Sequence, residues 1–472
     1  MNVIEKLKML GYNTIAQSWY DRIDVWNSWY KEKVDSFHVY TVWNGQKKLK
    51  CDRYSLGMAK KVSEDWANLL MNEKVKITLE GSKEQSFIDE VFTRNNFEVC
   101  MNELQEKGAA RGTYAIVPHV TGATINANGK VAGADGIDLD YITAECIFPL
   151  SWKGRNIKEC AFATVYNVDS NKYLYMQLHV LQGSEYVIIN KLFKDNNDTL
   201  QEVRFGDVHG FDGVTDAPIL TGSENPLFVV GRYNIANNIE DNNPMGIAVF
   251  ANSIDVLKGI DVAYDSYVNE FVLGKKRVMV KPSATKNIDD GDPVFDPTDM
   301  AYYVLPEDIS GGTIIQQIDM TLRTAEHQQG IQDLLNLLST KCGFGEQHYK
   351  FDQGSVATAT QIISENSDMF RTIKKHEILL EKLLIDLCRI LLRLGNTMGR
   401  GLNEEVEISV DFDDSIIEDK VAERANDRQD LAAGIMNAYE YRMKWYNEDE
   451  VTAKAALPGM EDMTDEGQDE VE

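Results

Sequence analysis

The sequence has no run of 18 uncharged apolar residues, so no part of it reads as a membrane-spanning helix. The opening stretch Met1 to Lys8 lacks the apolar core of a secretory signal. Its six cysteines are dispersed, the closest two being Cys146 and Cys160, and no CxxC or zinc-ribbon spacing occurs. They read as reduced, mostly buried thiols of an intracellular product. The expectation is a soluble protein made in a cytoplasm, with no membrane partner. Basic side chains are also short: 48 Lys and Arg stand against 75 Asp and Glu, a formal charge of −27. Such an excess repels nucleic acid at long range and argues against a tight, sequence-reading DNA binder. A conduit that lets DNA slide without gripping it stays compatible.

Catalytic signatures are missing as well. Wrapping a nucleotide phosphate in backbone amides takes GxxxxGK[ST], and neither Gly129-Lys130 nor Gly274-Lys275 has that context. The seven histidines are at least 21 residues apart, so no HExxH pair can hold zinc on one helical turn. There is no GxSxG nucleophile elbow. Asp135, Asp138 and Asp140 lack the order and closing Glu of a calcium loop. Asp411, Asp413 and Asp414 read as a strand end followed by a helix cap rather than a metal cluster. The expectation is a non-enzyme without cofactor or metal.

What is present is a long mixed α+β pattern, enough for two to four domains. Tryptophans and tyrosines crowd residues 19–30, and Val62, Trp66, Leu69 and Leu70 recur at helical spacing within Met58 to Met71. Phe37 to Val42 reads as a strand before an Asn44-Gly45 turn. From about Thr113 to Phe193 the period changes to two. Leu174, Met176, Leu178 and Val180 then share one strand face, with Tyr173, Tyr175, Gln177 and His179 on the other. Another strand is expected over Cys160 to Val168, and a hairpin turn at Asn128-Gly129. Residues 194–243 are rich in Asp, Asn and Gly and read as loops or a boundary.

Ile254, Leu257, Ile260, Tyr264, Tyr267, Val268 and Phe271 then step by three and four, which predicts a helix of roughly 25 residues ending near Gly274. Its other side carries Asp255, Lys258, Asp261 and Asp265, a predominantly acidic stripe. Strand-like runs follow at Arg277 to Lys281, Tyr302 to Leu305 and Thr313 to Ile318. A second helix is predicted over Leu322 to Thr340, with Ile331, Leu334, Leu335 and Leu338 as its apolar stripe. Two helices thus bracket a small β module, the layout of a stalk with a domain at its tip. After a Gly-bearing loop, Ser355 opens a long Ile- and Leu-rich helix to about Leu394. A strand is expected over Glu407 to Phe412, and a capping box at Ser415 to Glu418 opens a further helix. The last 25 residues hold ten carboxylates against Lys454 alone, which reads as a disordered acidic tail.

Against this layout, several strings resemble the portal (head-to-tail connector) family of long-tailed bacteriophages of Gram-positive bacteria. They are Trp26 to Tyr30, Phe37 to Tyr40, Met58 to Leu70, Ile147 to Leu150, Pro226 to Phe228, Pro244 to Phe250, Ser355 to Thr360 and Asp411 to Ile417. Each alone is a packing string; their order and spacing carry the likeness over nearly the whole chain. The resemblance implies a ring of about twelve subunits at one capsid vertex of the virion. It implies a wing (1–245), a stem helix (246–274), a clip (275–318), a second stem helix (319–341), a channel loop (342–354), a long helix with a wing strand (355–414), and a crown with its acidic tail (415–472).

By the same resemblance, the loop places Gln347, His348, Tyr349, Lys350, Phe351, Asp352 and Gln353 against DNA in the channel. The stem stripe of Asp255, Lys258, Asp261 and Asp265 becomes a channel lining. The implied partners are further copies of the chain, double-stranded DNA, a terminase large subunit that supplies the motor, a head–tail adaptor, and capsid and scaffolding proteins. The competing readings are an acidic intracellular hydrolase without a recognisable motif, a head–tail adaptor, and an interaction scaffold.

Overall fold

The computed structural model describes residues 3–43, 47–72, 75–122, 124–125, 131–196, 199–211, 213–274, 277–280, 302–304, 315–318, 321–351, 359–412, 420–446 and 448–457. It is a mixed α+β structure, as the changing periodicity predicts. The chain divides into two compact units, one of residues 1–358 with 364–412, the other of residues 359–363 with 413–472.

The first unit opens with helices α1 (Val3–Met9), α2 (Gln17–Tyr30) and the short α3 (Asp35–His38). The aromatic cluster is packing: Trp19, Trp26 and Trp29 are buried, and the Trp19 and Trp26 rings meet edge to face. Strands β1 (Val39–Trp43) and β2 (Lys48–Asp52) pair antiparallel, and α4 (Met58–Leu70) follows with Val62, Trp66 and Leu70 inward. Then come β3 (Lys76–Leu79), α5 (Ser82–Arg94) and α6 (Phe97–Arg111). After them come β4 (Thr113–Thr121), the short pair β5 (Thr124–Ile125) and β6 (Val131–Gly133), and β7 (Gly136–Thr143). The Asn128-Gly129 turn lies outside the described residues. Gly112 joins α6 to β4 at φ +84°, and a Cβ there would meet the Gly246 carbonyl oxygen at 2.4 Å. Gly246 returns the constraint, since its own Cβ would lie 2.2 Å from the Gly112 carbonyl. Two bare backbones touch here, and only glycine allows it.

An antiparallel meander forms the main sheet: β8 (Ile147–Lys153), β9 (Asn156–Val168), β10 (Asn171–Gln182), β11 (Glu185–Asn196) and β12 (Thr199–Val203). On β10 the predicted face of Leu174, Met176, Leu178 and Val180 is buried. The opposite face is not left to solvent: His179 is fully buried, and Tyr173 packs with Leu192, Phe205, Val208 and Phe211. The Asp- and Gly-rich stretch after residue 203 therefore covers the sheet as well as linking elements. It also adds β13 (Ile219–Leu220) beside β11, and β14 (Val229–Arg232) pairs with β4.

Helix α7 (Ile254–Leu273) has 20 residues, shorter than the predicted 25. Strands β15 (Arg277–Val280), β16 (Tyr302–Val304) and β17 (Ile315–Ile318) lie where the three runs were expected. The first pairs parallel with the second and antiparallel with the third. Helix α8 (Thr324–Cys342) buries Ile331, Leu335 and Leu338. Helix α9 (Ala359–Thr397) spans 39 residues, about 58 Å at 1.5 Å each. From Leu380 to Leu394 it is buried on most of its circumference. The expected start at Ser355 lies outside the described residues. Strand β18 (Ile408–Asp411) pairs antiparallel with β3, more than 300 residues earlier in the chain.

The second unit contains α10 (Lys420–Ala432), α11 (Ala438–Tyr446) and α12 (Glu450–Ala455). Tyr441 holds the first two together, its hydroxyl accepting from Nε of both Arg424 and Arg428 at 3.1 Å. The expectation of a wholly disordered tail fails at its start. Asp449 caps α12 by accepting from the Thr452 amide at 2.8 Å. Residues 458–472 and the capping box at Ser415 lie outside the described residues. No helix among the described residues is long and apolar enough to cross a membrane.

Candidate functional site

The acidic stripe of α7 divides in two. Asp255 is exposed and pairs with Lys258, Nζ to Oδ1 at 3.0 Å. Asp261 and Asp265 are buried instead, which corrects the reading of all four as one open lining. The cause is the segment that connects β2 to α4. Asp261 Oδ1 accepts the Leu56 amide at 2.9 Å, the Ser55 hydroxyl lies 3.1 Å from Oδ2, and His38 Nε2 lies 3.0 Å from the same oxygen. Asp265 Oδ1 accepts the Tyr54 amide at 3.1 Å. Two carboxylates spaced by one helical turn thus satisfy a bend of backbone whose amides have no strand or helix partner. Charge at these positions serves folding.

The loop after α8 is anchored over its described half. Gly343 ends the helix at φ +89°, and Phe344 turns inward to stack on Trp66 of α4 at 4.7 Å. His348 stacks on the other face of Phe344 at 4.5 Å, nearly parallel, so three rings form one column. Trp66 Nε1 donates to the Cys342 carbonyl at 3.1 Å. Below the column His376 of α9 meets Trp66 edge on and accepts the Asn234 amide through Nδ1 at 3.0 Å. Burial, with Lys375 adding to it, pushes His376 down to about 3.

His348 Nε2 lies 3.6 Å from Asp65 Oδ2. Burial alone raises the Asp65 carboxyl, yet the neighbouring His348 ring and the Lys61 ammonium outweigh it and hold the group below its ordinary value. Tyr349 is buried, which pushes its hydroxyl well above the ordinary phenol value. Gln332 of α8 acts as a surrogate peptide for the returning strand of loop. Its Nε2 donates to the Tyr349 carbonyl at 2.8 Å, and its Oε1 accepts the Phe351 amide at 2.7 Å. The Phe351 ring then meets Tyr267 of α7 at 5.8 Å.

Of the seven loop residues predicted to face DNA, Tyr349 is buried and Phe351 half-buried against the protein. Gln347, His348 and Lys350 are exposed, with one face of the His348 ring packed on Phe344. Asp352 and Gln353 lie outside the described residues. Sequence reasoning missed Asp65, Trp66, Gln332 and His38 as the groups that position loop and stem. No local signal marks them, because each acts on a residue remote in sequence.

The far end of the helix pair is held by a fork. Arg323 donates through Nε and Nη2 to the two oxygens of Glu270, at 3.1 and 3.0 Å, and its own amide also bonds Oε1. These bonds hold the Glu270 carboxyl at about 2. The two helices are thus joined near the β module by a bidentate pair, while at their other end the Cys342 thiol of α8 lies 3.8 Å from the hydroxyl of Ser253, just before α7.

A helix pair bracketing a small sheet is the layout that the sequence periodicity predicts for residues 254–342. A family model described as phage portal protein, SPP1 Gp6-like, matches residues 12–457, nearly the whole chain. The chain belongs to this family. Its function is accordingly that of a phage portal, and the family is a structural one. The hydrolase alternative finds no support in the match. No curated protein matches the chain. Within this portal subunit, among the described residues, no group of three or more His, Cys, Asp or Glu is placed to hold a metal ion.

Proposed function

We propose that about twelve copies of the chain close head to tail into a ring at one capsid vertex, and that double-stranded DNA passes through its opening in packaging, retention and ejection. The observation that carries this is the portal family match over residues 12–457. The charge of −27 supports it, since a wall of net negative sign keeps a phosphate backbone from adhering. The missing phosphate-binding loop supports assigning the motor to a separate terminase large subunit. A head–tail adaptor, the capsid and scaffolding proteins complete the partners.

In this reading residues 1–245 with the strand near 404–412 form the wing, and 246–274 and 319–341 the stem. Residues 275–318 form the clip, 342–354 the channel loop, 355–414 the long helix region, and 415–472 the crown with its tail. The loop offers Gln347 and Lys350 to DNA, while His348, Tyr349 and Phe351 set the loop's position. The Asp255 and Lys258 pair is the remaining stem contribution to the channel wall.

Deleting Gln347 to Asp352 tests the loop but also removes buried Tyr349, so Lys350→Glu is the companion variant. Both assemble as wild type does, and both package less DNA. Full packaging by assembled Lys350→Glu subunits contradicts the assignment.

A further inference from the structure

A second feature of the first unit belongs to neither stem nor loop. A cleft of about 740 Å³ opens between the β8–β9 hairpin, β14 and one face of α9. Seven of its lining side chains are basic and two are acidic, in a chain whose overall balance is strongly acidic. On α9, Lys382, Asp386, Arg389 and Arg393 follow at intervals of four, three and four, one continuous stripe along the helix. From the sheet side come Lys153, Arg155, Lys158 and Arg232.

The acids neutralise this group only in part: Asp386 sits within reach of the Lys382 and Arg389 charges. Arg389 pairs with Glu405 at 3.4 Å and Arg393 with Glu404 at 3.2 Å, which uses the carboxylates at the α9 C-terminal end. Among the described residues, Lys153, Arg155, Lys158, Arg232 and Lys382 have no carboxylate within salt-bridge distance. Arg155 and Arg232 are held side by side by backbone carbonyls instead: Arg232 Nη1 donates to the Arg155 carbonyl at 2.9 Å, and Arg155 Nη1 to the Ile235 carbonyl at 3.1 Å. Burial, together with the Arg155 charge, lowers Arg232 from its ordinary value. Two guanidiniums fixed in proximity without a counter-ion are a cost to the fold that an incoming anion would relieve. The floor is apolar, with Ile157, Phe228, Leu383 and Ile390 buried beneath the cations.

We propose that this cleft binds a carboxylate-bearing peptide segment of another protein, its acidic side chains on the Arg155, Arg232, Lys158 and Lys382 cations and its apolar ones on the floor. Polarity favours this occupant over DNA. An apolar floor has nothing to offer a phosphodiester, whereas it adds hydrophobic contact to a peptide. Cations around a concave apolar floor also steer an acidic partner through an otherwise repelling field.

The test uses the full-length chain and a fluorescein-labelled twelve-residue peptide of Asp, Glu and Leu, read by fluorescence anisotropy. Controls are the same peptide with Asn and Gln in place of its acids, a short DNA duplex, and sodium sulfate as competitor. The acidic peptide binds, binding weakens at least tenfold on raising salt from 50 to about 300 mM, and the amide peptide does not bind. Lys158→Glu with Lys382→Glu, both exposed, lowers affinity at least tenfold. Lys33→Glu with Lys172→Glu, an equal charge change at exposed sites elsewhere, does not. Equal loss in both double variants, or equal binding of the amide peptide, overturns the proposal. It is likewise overturned if the duplex binds more tightly than the peptide through the same two lysines, or if millimolar sulfate displaces the peptide completely, which would mark a site for small anions.

Discussion

His38 and Asp261 meet across 223 positions of sequence, Nε2 to Oδ2 at 3.0 Å, both buried. The Val34 amide donates to the other ring nitrogen at 3.2 Å, so the proton sits on Nε2 and is donated to the carboxylate. The ring is further held edge on by Trp29 and Phe37. This contact joins the N-terminal helices to α7, the first helix of the candidate stem. It turns an acidic position that sequence placed on an open face into the fixed point of a long-range packing contact.

The first prediction separates the two halves of that stripe. Asn at position 261 brings an NH2 group against donors, and the His38 tautomer cannot reverse because Val34 already uses Nδ1. Asp261→Asn therefore destabilises the chain by about 1–3 kcal/mol. Asp255→Asn, fully exposed with only Lys258 beside it, changes stability by under about 0.5 kcal/mol. Chemical denaturation of the two variants measures the difference; equal effects would contradict the burial of Asp261.

The second concerns acid. His179 lies between the rings of Phe162 and Phe228 with neither nitrogen hydrogen-bonded, and burial pushes it down to about 3. Its folded value lies below the unfolded one of about 6.5, so the unfolded chain takes up the proton first. The stability it contributes is complete above pH 6.5 and is lost as pH falls toward 3, at up to about 1.4 kcal/mol per pH unit. His376 titrates in the same window. His179→Leu removes one proton from the slope and leaves the other, so the acid dependence between pH 6.5 and 4 becomes shallower. An unchanged slope by pH-dependent denaturation would show that His179 is not buried neutral.

The third concerns the loop. Gln332→Ala takes away the two bonds to Tyr349 and Phe351, at about 1 kcal/mol each. Hydrogen exchange at the Phe351 amide then quickens by about an order of magnitude or more. Phe344→Ala opens the ring column and costs about 3–5 kcal/mol, seen as a lower melting temperature. Wild-type exchange at Phe351 in the Gln332 variant would mean that the loop is held by other contacts.

Much of the fold is legible in the residues, and the reasons for the exceptions are physical. The helical steps from Ile254 and from Ile331, and the alternation along β10, are local signals of apolar burial, and they locate α7, α8 and the meander. What covers a face is not local. Nothing near His179 announces that both faces of β10 are buried, because the cover comes partly from the Gly- and Asp-rich segment 205–214. Nothing near Lys76 announces pairing with Asp411, since hydrogen-bond partners in a sheet leave no trace in composition. An acidic stripe looks the same in sequence whether it meets solvent or a bend of backbone, so Asp255 and Asp261 could not be told apart. The loop glycines were legible as a turn, whereas its anchoring depends on Trp66 and Gln332, far away in the chain.

The ring itself is tested most directly by the mass and outline of the purified protein, by light scattering and negative-stain microscopy. Particles with a central hole near 640 kDa, about twelve subunits of 53.3 kDa, are expected. A compact species of one or two copies at every salt and protein concentration would contradict the ring.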